Sequence, residues 1–262
     1  MLFRSFEFHL KGKGTFTLAK TRIFETGTNR WRDFAVWPPP EAKPLALYFQ
    51  AGGRLEKEAT PEPGFDEYTS DPAKPVPYVE KNNTRVVEEF MTADQRFASR
   101  RPDVLVYESD VLKQDMTVAG PIAVEIHVST TGTDSDWIVK LIDVFPDSVP
   151  ERWSRGGYEL MVAHEIMRGR YRKSFSNPEP IQPNVPTEFT VDLHQQAHTF
   201  RTGHRIMVQV QSTWFPAYDR NPQTWVKNIF QAKAIDFQAK THRIWHTPKQ
   251  ASRIELTVVP SR

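Results

Sequence analysis

Alternation of apolar and polar positions with period two recurs along the second half of the chain. Ile122, Val124, Ile126 and Val128 alternate with Ala123, Glu125 and His127. Phe189, Val191 and Leu193 alternate with Thr190, Asp192 and His194. Ile206, Val208 and Val210 alternate with Met207, Gln209 and Gln211, and Ile254, Leu256 and Val258 alternate with Glu255 and Thr257. Successive side chains of a strand point to opposite faces, so each run predicts a strand with one dry and one wetter face. The stretch DWIVKLIDVFPD, from Asp136, is apolar on both faces and predicts a central strand.

The first half is less regular. TFTLAKTRIFETG and LALYFQAGG carry the β-branched and aromatic enrichment of strands, and Trp37-Pro38-Pro39-Pro40 can continue neither a helix nor a central ladder. From about residue 53 to 101, Pro61, Pro63, Gly64, Pro72, Pro75 and Pro77 break the chain into turns and extended pieces, although Phe65, Tyr68 and Tyr78 argue for packing. At the N-terminus Phe3, Phe6 and Leu10 recur at helical spacing, with Lys11 in the last turn and Gly12 as C-cap. A helix this short is marginal in water, which predicts that its partner lies elsewhere and that the chain is a fragment.

Composition agrees with many short strands. The 262 residues include 21 Pro, 12 Gly and 12% aromatic residues, and no repeat or low-complexity tract interrupts them. Many short antiparallel strands with almost no helical period predict an all-β, jelly-roll β-sandwich. A formal net charge of +2 offers no field for nucleic acid or an anionic membrane. Cysteine is absent, which removes disulfides, thiolate metal sites and cysteine nucleophiles. No run reaches the roughly 20 apolar residues of a membrane helix, and no signal pattern opens the chain.

Candidate chemistry is sparse. The Gly-x-Ser-x-Gly turn that presents a hydrolase serine does not occur; Ser135, Ser154 and Ser212 lack its context, and Asp134 and Asp136 beside Ser135 oppose an oxyanion. His194/His198 and His242/His246 have i, i+4 spacing, which aims both rings at one metal only on a helix. Their surroundings are β-like, so strand or surface histidines are expected. Asp134 and Asp136 beside Gly132 form an oxygen-rich turn that either holds calcium or bonds its own backbone. Trp214, Phe215, Tyr218 and Trp225 are either a platform for sugar rings or a plug at the sandwich end, with Asp219 and Arg220 pairing locally and Asn221-Pro222 turning the chain.

Several blocks in fixed order carry a resemblance: RPDVLVYESDVLKQDMTVAGPIAVEIHVSTTGTDSDWIVKLIDVFPD, EIMRGRYRKSF, GHRIMVQVQSTWFPAYDRNPQT and RIELTVVP. Together they resemble the C-terminal domain of the cocaine esterase-like (CocE/NonD) hydrolases. That group includes X-Pro dipeptidyl-peptidases, α-amino acid ester hydrolases and glutaryl-7-aminocephalosporanic acid acylases. The lead-in TNRWRDFAVWPPPEAKPLALYFQAGGRL and SDPAKPVPY fit as well.

The resemblance implies a three-part parent: an α/β-hydrolase domain holding the Ser-Asp-His triad, a helical cap, and a galactose-binding-like jelly roll. On that basis residues 1–14 are the last helix of the absent hydrolase domain, and residues 15–262 are the jelly roll with its irregular excursion at about 53–101. The chain alone is then expected to be a non-catalytic part of a serine hydrolase acting on acyl ester or amide bonds. No catalytic, metal or cofactor residue is assigned to it, and no cofactor is expected. Its expected partners are the absent hydrolase and cap domains, with a small acyl substrate in the parent. Tyr78, Trp214, Phe215, Tyr218, Asp219 and Arg220 are the candidates for an interdomain or pocket rim. Apolar surface bared without the hydrolase domain predicts homo-oligomers or a helix tucked onto the body. The alternative is a stand-alone carbohydrate-binding module.

Overall fold

The computed structural model describes residues 2–15, 19–81, 87–148 and 156–260, with side chains from Ser5 onward. The Phe3 side chain, the start of the TFTLAK run at 16–18, and Ser154 lie outside the described residues.

The expected N-terminal helix forms as α1 (Leu2–Lys11). Gly12, at φ +63°, turns the chain away, and the Lys13 N–H closes the end on the Glu7 carbonyl at 2.9 Å. Phe6 and Leu10 remain exposed. Next comes a two-stranded hairpin, β1 (Thr21–Glu25) with β2 (Arg30–Phe34). It joins the body through reciprocal backbone bonds: Thr26 N–H to the Ala197 carbonyl at 3.1 Å, and Thr199 N–H to the Thr26 carbonyl at 2.9 Å. Gly27 makes that approach feasible. Its φ is +83°, and a Cβ there would lie 2.0 Å from the Thr199 carbonyl oxygen.

Among the described residues, the remaining strands form one curled sheet that folds over itself as an all-β sandwich. The first layer is organised by β7 (Met116–Thr130), 15 residues long. One edge pairs with β10 (Thr187–Phe200). The other is shared by β12 (Lys240–Thr247) and β14 (Arg253–Val259). Beyond these lie β5 (Gly64–Ser70) and the short β13 (Gln250–Ala251) on β12, and β3 (Lys43–Gln50) on β14. β4 (Arg54–Glu56) leads to the second layer, β6 (Leu105–Glu108), β11 (Arg205–Gln211), β8 (Asp136–Val144) and β9 (Glu159–Arg168).

The core lies between the layers. Val124, Ile126, Phe189, Val191 and Leu193 of the first meet Trp137, Val139, Leu141, Val208 and Val210 of the second, all buried. These are the dry faces read from the alternation. β8 is buried along its whole length, as its doubly apolar sequence requires. Its inner face supplies Trp137, Val139 and Leu141. Its outer Ile138 is covered by Tyr78, Val79 and Trp214, and its outer Ile142 packs with Met207.

Within the excursion at 53–101 the expected extended pieces include β4 and all seven residues of β5. β5 escapes the alternation signal because its inward positions are polar. Tyr68 bonds Ser212 at 2.6 Å, Asp66 accepts from the Tyr107 hydroxyl at 3.0 Å, and Ser70 is buried. After Asp71 the excursion crosses the outer face of the second layer and includes one helical turn, α2 (Arg96–Ser99).

Leu141, fully buried on the inner face of β8, tests the two-layer core. Leu141→Ala should lower the unfolding free energy by about 3 kcal/mol, within the range of about 2–5 kcal/mol for core leucines. Urea denaturation measures it, and a loss below about 1 kcal/mol would mean that the inner face is not sealed.

Candidate functional site

β11 ends at Gln211 and runs into the segment 212–225, where the predicted rim residues lie. The structure brings them together in unequal roles. Trp214 is 1% exposed and Tyr78 1%, so both are interior groups. The excursion and the corner are tied as a short parallel bridge. Phe215 N–H donates to the Val76 carbonyl at 2.9 Å and Tyr78 N–H to the Phe215 carbonyl at 3.1 Å, while the Thr213 hydroxyl accepts from Val76 N–H at 2.8 Å.

Phe215, 41% exposed, and the half-buried Tyr218 lie on the outside. Arg220 does not pair with Asp219, contrary to expectation. Its guanidinium lies 5.6 Å from the Phe215 ring centre and 5.1 Å from that of Phe237, and it donates to the Pro72 carbonyl at 2.9 Å. Two aromatic faces and a carbonyl satisfy a planar cation better than one solvated carboxylate does. Asp219 contributes its backbone carbonyl, which accepts from Arg168 at 3.4 Å.

Beneath Trp214 lies a lysine on the outer face of β8. Lys140 Nζ is 4.7 Å from the Trp214 ring centre and donates to Gln95 Oε1 at 2.9 Å. Gln209 donates to Glu159 at 3.1 Å, and Ser99 donates to the other Glu159 oxygen at 2.9 Å. These polar contacts pin Gln95 and Ser99 of the excursion to β8, β9 and β11. Burial lowers the Lys140 ammonium to about 7, with Glu159 pulling the other way. Burial raises the Glu159 carboxyl to about 7, opposed first by the Ser99 hydrogen bond.

The oxygen-rich turn is also occupied by protein. Arg170 meets Asp134 at 2.6 Å with both side chains buried, Arg168 meets Asp136 at 3.1 Å, and Asn221 donates to Asp136 at 2.8 Å. Two guanidiniums therefore stand where the calcium reading would place a cation, Arg168 from the end of β9 and Arg170 from the turn after it. Arg170 also lies over the Trp225 ring at 4.7 Å, so that aromatic faces an internal cation rather than a ligand. Burial pushes the Asp136 carboxyl up to about 7, and Arg168 opposes the shift.

The remaining sequence candidates are dispersed. Ser135 and Ser212 are buried. Ser135 Oγ lies 3.4 Å from His242 Nε2, but the same nitrogen faces Gln223 Oε1 at 2.5 Å, and among the described residues no carboxylate orients the ring. Burial depresses the His242 imidazolium to about 3, so the ring is neutral. His194 is exposed and meets Glu165 at 2.9 Å, while His198 is buried on Asp143 at 3.2 Å. His246 is buried 3.4 Å from Asp66. Neither i, i+4 pair shares a site, since four residues along a strand span about 13 Å.

Sequence reasoning passed over Lys140, Arg168, Arg170 and the Asp143 carboxylate. Asp143 holds His198 and, at 2.7 Å, His204. For Lys140 and Asp143 the signal was an ionisable residue within the doubly buried run of β8, whereas Arg168 and Arg170 lie outside that run. A cleft of about 640 Å³ opens beside Asp143, lined by Phe24, Thr26, Tyr158, His198, Arg201 and His204.

Comparison with known proteins is consistent with this inventory. Residues 15–255 match the family model for the X-Pro dipeptidyl-peptidase C-terminal non-catalytic domain. The chain is 33% identical over 266 residues to cocaine esterase of Rhodococcus sp. (strain MB1 Bresler), covering 97% of this chain and 44% of that protein. The crystal structure of an aminopeptidase from the marine sediment archaeon Thaumarchaeota archaeon superposes with a TM-score of 0.94 at 42% identity, over 99% of this chain and 44% of that one. An α-amino acid ester hydrolase structure gives 0.92 at 43% identity, over 98% and 44%. The chain thus spans less than half the length of these relatives.

Two measurements test the corner. Trp214→Ala should lower stability by about 3–5 kcal/mol in chemical denaturation, and a negligible loss would mean the ring is not interior. Lys140 is neutral in both states above its ordinary 10.5; as pH falls toward about 7 the unfolded chain takes up a proton that the folded chain refuses. The Lys140 contribution to stability should therefore decline from about pH 10.5 to about pH 7 and level off below, and Lys140→Met should remove that slope. An unchanged slope in the variant would place the titration elsewhere.

Proposed function

We propose, from the premise that this chain belongs to the X-Pro dipeptidyl-peptidase C-terminal non-catalytic domain family, that it is the structural β-domain of a serine hydrolase acting on acyl ester or amide bonds. The observation that carries the proposal is the sealed corner. Ser135 and His242, which lie against the corner's Gln223, are fully buried and lack a carboxylate partner among the described residues, so they have neither access to a substrate nor an oriented base. Acyl transfer then belongs to a catalytic domain in the same polypeptide.

That domain would dock on the N-terminal side of the sandwich. The apolar groups left uncovered there are Phe6 and Leu10 of α1, and Phe24 and Trp31 of the hairpin, with Trp31 67% exposed. α1 precedes the family match, which supports reading it as the last helix of the hydrolase domain. Of the rim residues, Phe215, Tyr218, Asp219 and Arg220 present the outer surface that could contact a neighbour, while Tyr78 and Trp214 hold that surface from beneath. The carbohydrate platform lacks support in this geometry. Trp214 is interior, its ring is inclined 31° to Tyr218 at 6.0 Å, and Trp225 lies against Arg170.

A fluorophosphonate probe decides between a silent domain and a hydrolase. The purified chain should remain unlabelled, and in the full-length parent the label should map to a serine outside these 262 residues. Stoichiometric labelling of any serine within them would overturn the proposal.

A further inference from the structure

On the solvent side of the first layer, three metal-binding side chains converge. Glu125 and His127 are i and i+2 on β7 and so share a face. Glu188 stands directly opposite His127 in the register of β10. One ligand atom from each lies within 4.8 Å of the others. Two neighbours on one strand and a third across the ladder close a triangle of ligands without any loop, on backbone already held by the β7–β10 ladder.

We propose that Glu125, His127 and Glu188 form a zinc site, with a fourth position open to water. The chemistry of the set favours this ion, because imidazole nitrogen with carboxylate oxygen is a zinc donor combination. The distances favour it too. At bond lengths of about 2.1 Å, tetrahedral ligands are separated by about 3.4 Å. His127 Nε2 lies 3.5 Å from Glu125 Oε1, which is that edge and is long for a hydrogen bond. Glu188 has no ion-pair partner among the described residues and is exposed, so it can swing inward to complete the triangle.

Arg253 shapes the site rather than filling it. Its guanidinium grips Glu125 with two bonds, Nη1 to Oε1 at 2.7 Å and Nη2 to Oε2 at 2.8 Å, leaving a second lone pair on each oxygen. Such a partner fixes the carboxylate's plane, the role outer groups play around metal ligands. Arg253 also donates to Glu255 at 2.8 Å, so the carboxylates around it outnumber its charge and leave a net negative field toward the cation. Ser252 accepts no part of the ring; its hydroxyl instead receives the His127 backbone N–H at 3.0 Å, which fixes the strand beneath the ring. Bound zinc would clamp β7 to β10 at the level of Glu125 to His127. The site is independent of the hydrolase proposal.

Calorimetric titration of the chelator-stripped chain with zinc chloride tests this. One saturable equivalent is expected, with a rise in the thermal midpoint. Glu188→Gln and His127→Ala should each weaken binding by about tenfold or more. Cobalt(II) should give the intense visible bands of a tetrahedral site. Absence of saturable binding, binding unchanged by Glu188→Gln, or the pale spectrum of an octahedral ion would overturn the proposal. Glu188 is exposed, so its variant decides the matter even if His127→Ala disturbs the strand.

Discussion

The structure depends on β8 being buried on both faces. A strand in a two-layer sandwich normally shows one face to water, yet β8 packs Trp137, Val139 and Leu141 against the opposite layer and hides Ile138 and Lys140 beneath a cover made by the excursion and the corner. This makes three strata out of two sheets' worth of strand. The cover has little regular structure, so it cannot satisfy its polar groups through a ladder of its own. Its two halves instead bond to each other through Val76 and Tyr78, and to the sheet through Gln95.

The buried charges follow from the same constraint. Lys140, Asp136 and Asp143 lie on a strand that offers them no solvent, and each has a partner: Gln95 with the Trp214 face, Arg168 with Asn221, and two histidines. Removing one member of such a group strands the other in low dielectric, which costs more than the pair contributes. Their value is in specificity. A greasy cover could slide over a greasy strand, whereas Gln95 and Trp214 have one place to meet Lys140.

Much of the sandwich was legible in the sequence because alternation reports directly on one dry face, as in Ile122 to Val128 and Ile206 to Val210. β5 was not legible, since its inward positions are Asp66, Tyr68 and Ser70, and hydrogen bonds rather than hydrophobicity hold them. β9 was hidden for the converse reason: Glu159 and His164 interrupt its apolar positions, and a cover buries what would otherwise be its wet face. At the corner, composition located the aromatic cluster but assigned Arg220 and the two aspartates to local partners. The true partners, Pro72, Arg168 and Arg170, are distant in sequence, and no local pattern encodes a contact between Asp136 and Arg168 or across longer separations.

The parallel bridge between Pro77 and Phe215 has a consequence for how such domains diverge. It makes the excursion and the corner two halves of a single lid whose hinge points are about 140 positions apart in the chain. A chimera that exchanges one half without the other would inherit a mismatched seam over Lys140 and Trp214. Recombination within this fold therefore has to treat residues 71–101 and 212–225 as one heritable block, even though everything between them belongs to the scaffold.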